Sequence, residues 1–245
     1  MRMLTFAVRN TKEILRDPIS LAFTFGFPLA LLILLSAIQA NIPVPLFEIE
    51  HLSPGIAVFG LSFLTLFSAT LISKDRGSAL LARLYTTPMR AYDFILGYTI
   101  PIIPIAIIQS TVCYLAAIVL GLEITVNILY AVIFIVPVSL FYIALGLLFG
   151  SILSDKQVGG ICGALLTNLS AWLSGVWFDL DLVGGTFKKI AYALPFVHAV
   201  DMGRAVISGD FADIFPHIWW VLGYSSVILI MAVLLFLKQD RKSVV

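Results

Sequence analysis

Six long stretches of the chain carry no charged side chain: residues 19–40, 52–73, 94–122, 124–154, 157–178 and 218–237. They run from 20 to 31 residues, and a helix needs about 20 to cross a hydrocarbon core of about 30 Å. Apolar residues follow one another in these runs without the alternation of a membrane barrel strand. Inside lipid the backbone must then pair within each segment, so the runs are read as helices. Pro28 beside Gly26, the pair Pro101 and Pro104, and Pro137 predict kinks within three of them.

The polar segments between the runs have periodicities of their own. In residues 1–18, Leu4, Ala7, Val8, Thr11 and Leu15 fall on one side of a helix, and Arg2, Arg9, Lys12 and Arg16 on the other. That predicts an amphipathic helix along a membrane face. In residues 74–93, Leu80, Leu81, Leu84 and Tyr85 form an apolar side flanked by Asp75, Arg76 and Arg83, and Thr86, Thr87 and Pro88 end the helix. A short helix of this kind, outside the membrane, rests on its own bundle or docks on a soluble subunit. In residues 179–217, Phe187, Ile190, Ala191 and Leu194 share a helical face, and a second helical stretch follows over 196–207. A full crossing by 187–207 would bury Lys188, Lys189, Asp201 and Arg204, each at about 2.5–3.5 kcal/mol near mid-membrane. Two short helices dipping into the outer leaflet fit better, with Asp201 and Arg204 either paired at i,i+3 or solvated.

Composition agrees with six spans. Of 245 residues, 60% are apolar and 12% charged, and the mean hydropathy is +1.06; soluble domains carry about 25% charged residues. A net charge of +1 without a basic face argues against a nucleic-acid partner. Lysine and arginine orient the chain. With the N-terminus inside, the inner segments hold 12 of the 15 basic residues, leaving Lys188, Lys189 and Arg204 outside. The positive-inside rule gives N-in and C-in, the topology of a multi-pass protein of a bacterial plasma membrane. The reading is one permease domain over 1–245, all-α and integral to the membrane.

No charged side chain falls within the six runs, whereas carriers driven by an ion gradient usually bury ionisable groups. There is no serine elbow, no zinc-binding histidine pair and no Walker A loop, so no catalytic role, metal or directly bound cofactor is expected. Cys113 and Cys162 lie inside apolar runs and read as packing residues. A six-span protein with inner amphipathic helices and no energy source reads as a subunit driven from outside.

The residues also carry a resemblance. Ser73 to Leu80 (SKDRGSAL), followed by Leu84 to Arg90 (LYTTPMR), resembles the acidic–x–glycine–x–leucine…threonine–proline signature of type-2 ATP-binding-cassette (ABC) permeases. Leu194 to Arg204 (LPFVHAVDMGR) is similar to that family's proline–phenylalanine…arginine segment before the last span. The drug-exporter branch of the daunorubicin-resistance type looks closest, although Asp75 stands where glutamate is commoner. The resemblance implies a second permease subunit of the same sequence and two copies of a cytoplasmic ATPase subunit that holds ATP and Mg. Residues 1–18, with Arg9, Lys12 and Arg16, would match the interface helix. Asp75, Arg76, Gly77, Leu80, Arg83, Leu84, Thr87 and Pro88 would match the coupling helix over 75–87. Residues 187–207, with Pro195, Phe196, Asp201 and Arg204, would match re-entrant helices that close the exit.

Within the spans, Gln39, Thr167 and Asn168 are the polar side chains placed nearest a substrate path, and Gln109 is equally suited to bonding inside the bundle. Gly146-x-x-x-Gly150 and Gly159-x-x-x-Gly163 permit close helix contact, and Trp172, Trp177, Trp219 and Trp220 suit interfacial anchoring among the membrane lipids. A path read as aliphatic points to an exporter of an amphipathic or hydrophobic compound: drug, antibiotic or peptide. An exporter of polysaccharide or lipid-linked glycan, and a non-transporting immunity or assembly protein, are the alternatives.

Overall fold

The computed structural model describes residues 2–78, 80–85 and 89–243, and among these there is helix and no strand. Five helices are long and apolar enough to cross a membrane. They are α2 (Pro18–Gln39), α3 (Ile49–Gly77), the pair α5 (Ala91–Thr99) and α6 (Ile102–Val119), α7 (Val126–Ile152), and α13 (Ile214–Ser243). Over the fifth charge-free run lies a further helical stretch, read as the fifth span, made of α8 (Asp155–Val158), a π-helical segment (Gly159–Leu166) and α9 (Thr167–Leu173). In the wider turns Thr167 Oγ1 donates to Cys162 O, five residues back, at 3.1 Å.

Near the N-terminus lies α1 (Arg2–Leu15). Asp17 then caps α2, accepting from Ser20 N at 3.1 Å and Ser20 Oγ at 2.8 Å, with Pro18 in the first helical turn. The docked side of α1 differs from the side that hydrophobicity selects. Phe6, Ala7, Asn10 and Ile14 are buried, while Leu4, Val8 and Leu15 stay exposed. Two large side chains and one polar anchor outweigh a longer row of smaller apolar residues.

The axis of the bundle is α3, buried along most of its length. It continues past the apolar run at residue 73, because no breaker precedes Ser78 and Lys74 and Arg76 suit a helix C-terminus. Asp75, Arg76 and Gly77 are therefore the last turn of the second span, not part of a coupling helix. The separate cytoplasmic helix is α4 (Leu80–Tyr85) alone; Thr87 and Pro88 lie outside the described residues.

On one side α3 packs tightly against α7. A Cβ on Gly146 would sit 2.7 Å from Thr65 O, and one on Gly150 2.9 Å from Ala69 Cα. The Gly-x-x-x-Gly pair is thus used inside the subunit, where Thr65 Oγ1 also donates to Tyr142 O at 2.9 Å. On the outer side, α10 (Leu180–Val183), α11 (Gly185–Tyr192) and α12 (Pro195–Ser208) follow. The last two meet at a 77° bend, and α12 packs on α3, α7 and α13. The bend and the charges of α12 fit a re-entrant pair, not a crossing.

Replacing Gly150 with leucine should lower the thermal midpoint of the protein in lipid nanodiscs by an amount matching about 1–3 kcal/mol. Gly159→Ala, where a Cβ meets nothing within 4 Å, should leave the midpoint unchanged.

Candidate functional site

At the inner end, one buried carboxylate gathers three helices. Asp75 on α3, 1% exposed, accepts from Arg9 of α1 at 2.6 Å and from Tyr98 Oη of α5 at 2.8 Å. Arg9 is half-buried and also pairs with Glu13 at 2.5 Å. Beside this node Asn10 Nδ2 donates to Gly97 O at 2.9 Å. In a continuous helix that carbonyl would receive the N–H of residue 101, which is proline and has none. The side chain of Asn10 fills the vacancy. Gly97 also admits the ring of Phe6, which would lie 2.3 Å from a Cβ there. The helix α1 is therefore fastened to the kink of the third span as well as to the second.

Arg76 donates to Ser151 O and Leu153 O, closing the C-terminal end of α7 with a cation. Gly77 is exposed, and Leu81, unassigned by sequence motif, anchors α4 by being buried in the core. Leu80 and Leu84 are half-buried, and Arg83 is exposed. The apolar side of α4 rests on its own bundle. Lys12 and Arg16 are exposed.

Between α2, α3 and the 155–173 run lies a groove of about 390 Å³. Phe23, Phe27, Phe59, Phe63 and Trp177 line it, with ring centroids 5.8 Å apart for Phe27–Phe63 and 5.4 Å for Phe59–Trp177. This groove is aromatic, where the sequence reading expected an aliphatic path. Phenylalanines four residues apart on two helices fall on matching faces, a spacing legible in the sequence once the helices are known to adjoin. Thr167 and Asn168 reach the groove; Asn168 Nδ2 is bonded to Ala164 O at 2.8 Å. Gln39 does not line the groove: it donates to Val44 O at 3.0 Å and accepts from Phe47 N at 2.6 Å, holding the first outer loop. Gln109 is buried between Gly60 and Cys113.

At the outer end Arg204 plays the reciprocal part. It donates to Gly175 O at 2.9 Å, to Asp201 at 3.3 Å and to His51 O at 3.4 Å, tying α12 to the outer ends of the second and fifth spans. Polar cavities of about 410 and 200 Å³ both border Asp201 and Arg204. Pro195 opens α12, and Phe196 packs against Phe141 at 5.6 Å. Sequence motifs did not single out His198. Its Nε2 faces Tyr192 O at 3.0 Å, and a carbonyl only accepts, so Nε2 carries the hydrogen. In the neutral ring Nδ1 then accepts from His217 Nδ1–H at 2.9 Å. The ring stacks on Trp220, 4.8 Å between centroids, so these groups latch α12 to α13.

Comparison with known proteins gives a family. The model of the ABC-2 type transporter family matches residues 2–208. The capsule polysaccharide export inner-membrane protein CtrC of Neisseria meningitidis serogroup A is similar, 24% identical over 155 residues, which are 63% of this chain and 58% of that protein.

Substituting Asp75 with alanine leaves the buried Tyr98 hydroxyl without its acceptor, at about 1–3 kcal/mol. Thermal unfolding in nanodiscs should fall accordingly, and Asp75→Asn, which keeps an acceptor, should fall less. Burial holds the His198 imidazole below its ordinary value of about 6.5. A depressed histidine adds stability at neutral pH that is lost as pH drops through the lower folded value. Trp220 emission should therefore change on acidification below about pH 6.5 and lose that transition in His198→Gln.

Proposed function

Because this chain belongs to the ABC-2 type transporter family and is a transmembrane subunit of an ABC transporter, we propose that it exports an amphipathic or hydrophobic compound. The observation that carries this reading is the groove between α2, α3 and the fifth span. It has five aromatic rings, two small polar side chains and no charge. Such a lining accepts an apolar body through dispersion and stacking contacts and orients it with few polar groups. Asn168 and Thr167 would supply the polar contacts.

In the working assembly two such chains would face each other, served by two cytoplasmic ATPase subunits that hold ATP and Mg. Nucleotide binding would draw the ATPases together beneath α4, with Arg83 and the edge of Leu84 in contact. A push there reaches α3 directly, and the Asp75 node hands it to α1 and to the kink of the third span. The inner ends would then move as rigid bodies, shifting the dimer between inward- and outward-facing states. Arg204 and the α12 latch would hold the exit shut until that shift.

A second reading keeps the assembly and changes the cargo to a lipid-linked glycan. Aromatic rings favour it, since their faces also stack on sugars, and the similar Neisseria protein is named for capsule polysaccharide export. With the ATPase partner co-reconstituted in vesicles, ATP-dependent movement of a fluorescent amphipathic dye should occur and should fall about tenfold in Phe59→Ala with Phe63→Ala, matching about 1.4 kcal/mol of lost contact. Movement of a lipid-linked glycan but not the dye would overturn the drug-like cargo. Protection or transport that persists with the ATPase inactivated would overturn the exporter itself.

A further inference from the structure

The fifth span changes its buried face partway along. Val158 and Cys162 are buried together with Ala69 of α3, beside Phe149 of α7. In an unbroken α-helix of 3.6 residues per turn that face continues through Leu166, Leu169 and Leu173. Instead Thr167, Ser170, Ala171 and Ser174 are buried, while Leu165 and Leu169 stay 57% and 38% exposed. With uniform winding those four small residues would point about a third of a turn away from Cys162. The π-helical segment Gly159–Leu166 makes up the difference. Its wide turns keep Cys162 and Thr167, five residues apart, on one face, and the Thr167 hydroxyl closes that step on Cys162 O.

One span therefore carries two stripes: leucines that suit uniform α winding, and small or hydroxyl residues that suit the wide turns. Residues 157–178 hold no charge, so neither stripe puts one in lipid. The small stripe allows close approach to neighbouring helices. The leucine stripe offers more apolar contact, with the freed hydroxyls bonding carbonyls of their own helix. Gly159 and Gly160 stand where the winding changes. A Cβ on either meets nothing within 4 Å, and neither has a positive φ. Glycine there serves neither packing within the subunit nor a left-handed turn, and it weakens a helix relative to alanine. What it supplies is backbone freedom.

We propose that residues 159–166 are a register switch, rewinding from wide turns to α-helix during the transport cycle and turning the C-terminal half of the fifth span by about one residue position. Leu166, Leu169 and Leu173 then replace Thr167, Ser170 and Ser174 against the bundle, and the 2.7 Å bond between Tyr142 and Ser170 breaks. In the groove Thr167 takes the place of Asn168, and the Gly175 carbonyl leaves Arg204. One movement withdraws an amide from the groove and unlatches the exit. The link to cargo rests on the export reading above; the second register does not.

The test measures oxygen accessibility of a nitroxide placed singly on a cysteine at each position from 159 to 174. The background is the full chain with Cys113→Ala and Cys162→Ala, joined by its ATPase partner in vesicles. Without nucleotide, minima should fall at Thr167, Ser170 and Ser174. With a non-hydrolysable ATP analogue the pattern should move by one residue, to minima at Leu166, Leu169 and Leu173. Leu166 does not line the groove, and Leu166→Gln penalises only the register that buries it. That variant should keep the first pattern with nucleotide present and slow dye movement about tenfold. If it misfolds, the scan alone decides. A pattern that keeps its phase in both conditions overturns the switch, even where dye is exported; low accessibility at 159 and 160 would then assign the glycines to contact with a second subunit. A phase shift without dye movement upholds the switch and overturns only the export reading.

Discussion

A carboxylate removed from water beside a membrane needs compensation from a cation or from hydrogen-bond donors. Asp75 has one of each, and the two arrive on different helices: Arg9 on α1 and the Tyr98 hydroxyl on α5. Neither helix can shift without exposing or stranding the carboxylate. The inner ends of the first three spans are consequently one mechanical unit, extended by the Asn10 bond to the carbonyl that Pro101 leaves free. A kink that would weaken an isolated helix becomes a socket for its neighbour.

The outer end repeats the device with the opposite sign. Arg204 has more donors than any one partner can accept from, so it collects a carboxylate and two backbone carbonyls from separate elements. Between the two charged nodes α3 runs nearly fully buried, touching α7 through glycines and keeping the groove on its opposite side. Movement at one node reaches the other through a single stiff rod. The groove wall that carries Phe59 and Phe63 is part of that rod, so under the proposed function the cargo surface would move with the transmission.

Much of this was legible in the sequence, and the rest was hidden for identifiable reasons. An all-helical bundle with five to six candidate spans follows from the charge-free runs, which act through solvation and need no knowledge of neighbours. Arg204 stood out because burying a charge in an apolar stretch is costly, and Asp75 because it flanks the apolar side of a short helix within a family-like motif. The docked side of α1 could not be read the same way. Three faces compete on that helix, and which one is buried depends on the hole at Gly97 and the carbonyl left by Pro101, residues some ninety positions away. The aromatic groove was missed because Phe23, Phe27, Phe59, Phe63 and Trp177 sit in three separate apolar runs, where each reads as one more hydrophobic residue. Gln39 misled for the opposite reason: a polar group near a span end looks functional until its loop partners are known.

Under the proposed function, the outer node would also give the subunit a resting state. A hydrogen bond from a charged donor adds about 1.5–3 kcal/mol; the Arg204–Asp201 contact stays within α12 and the contact to His51 O is long, so under the proposed function the bond to Gly175 O alone would favour a closed exit by about 1.5–3 kcal/mol. That would correspond to roughly one opening in ten to one in a hundred. The inner node has no comparable cost to overcome, since it can stay intact while α1, α3 and α5 travel together. Under the proposed function, energy delivered at α4 would then be spent mainly on the outer contacts, and those contacts, more than the inner joints, would set how much work a driving subunit supplies per opening.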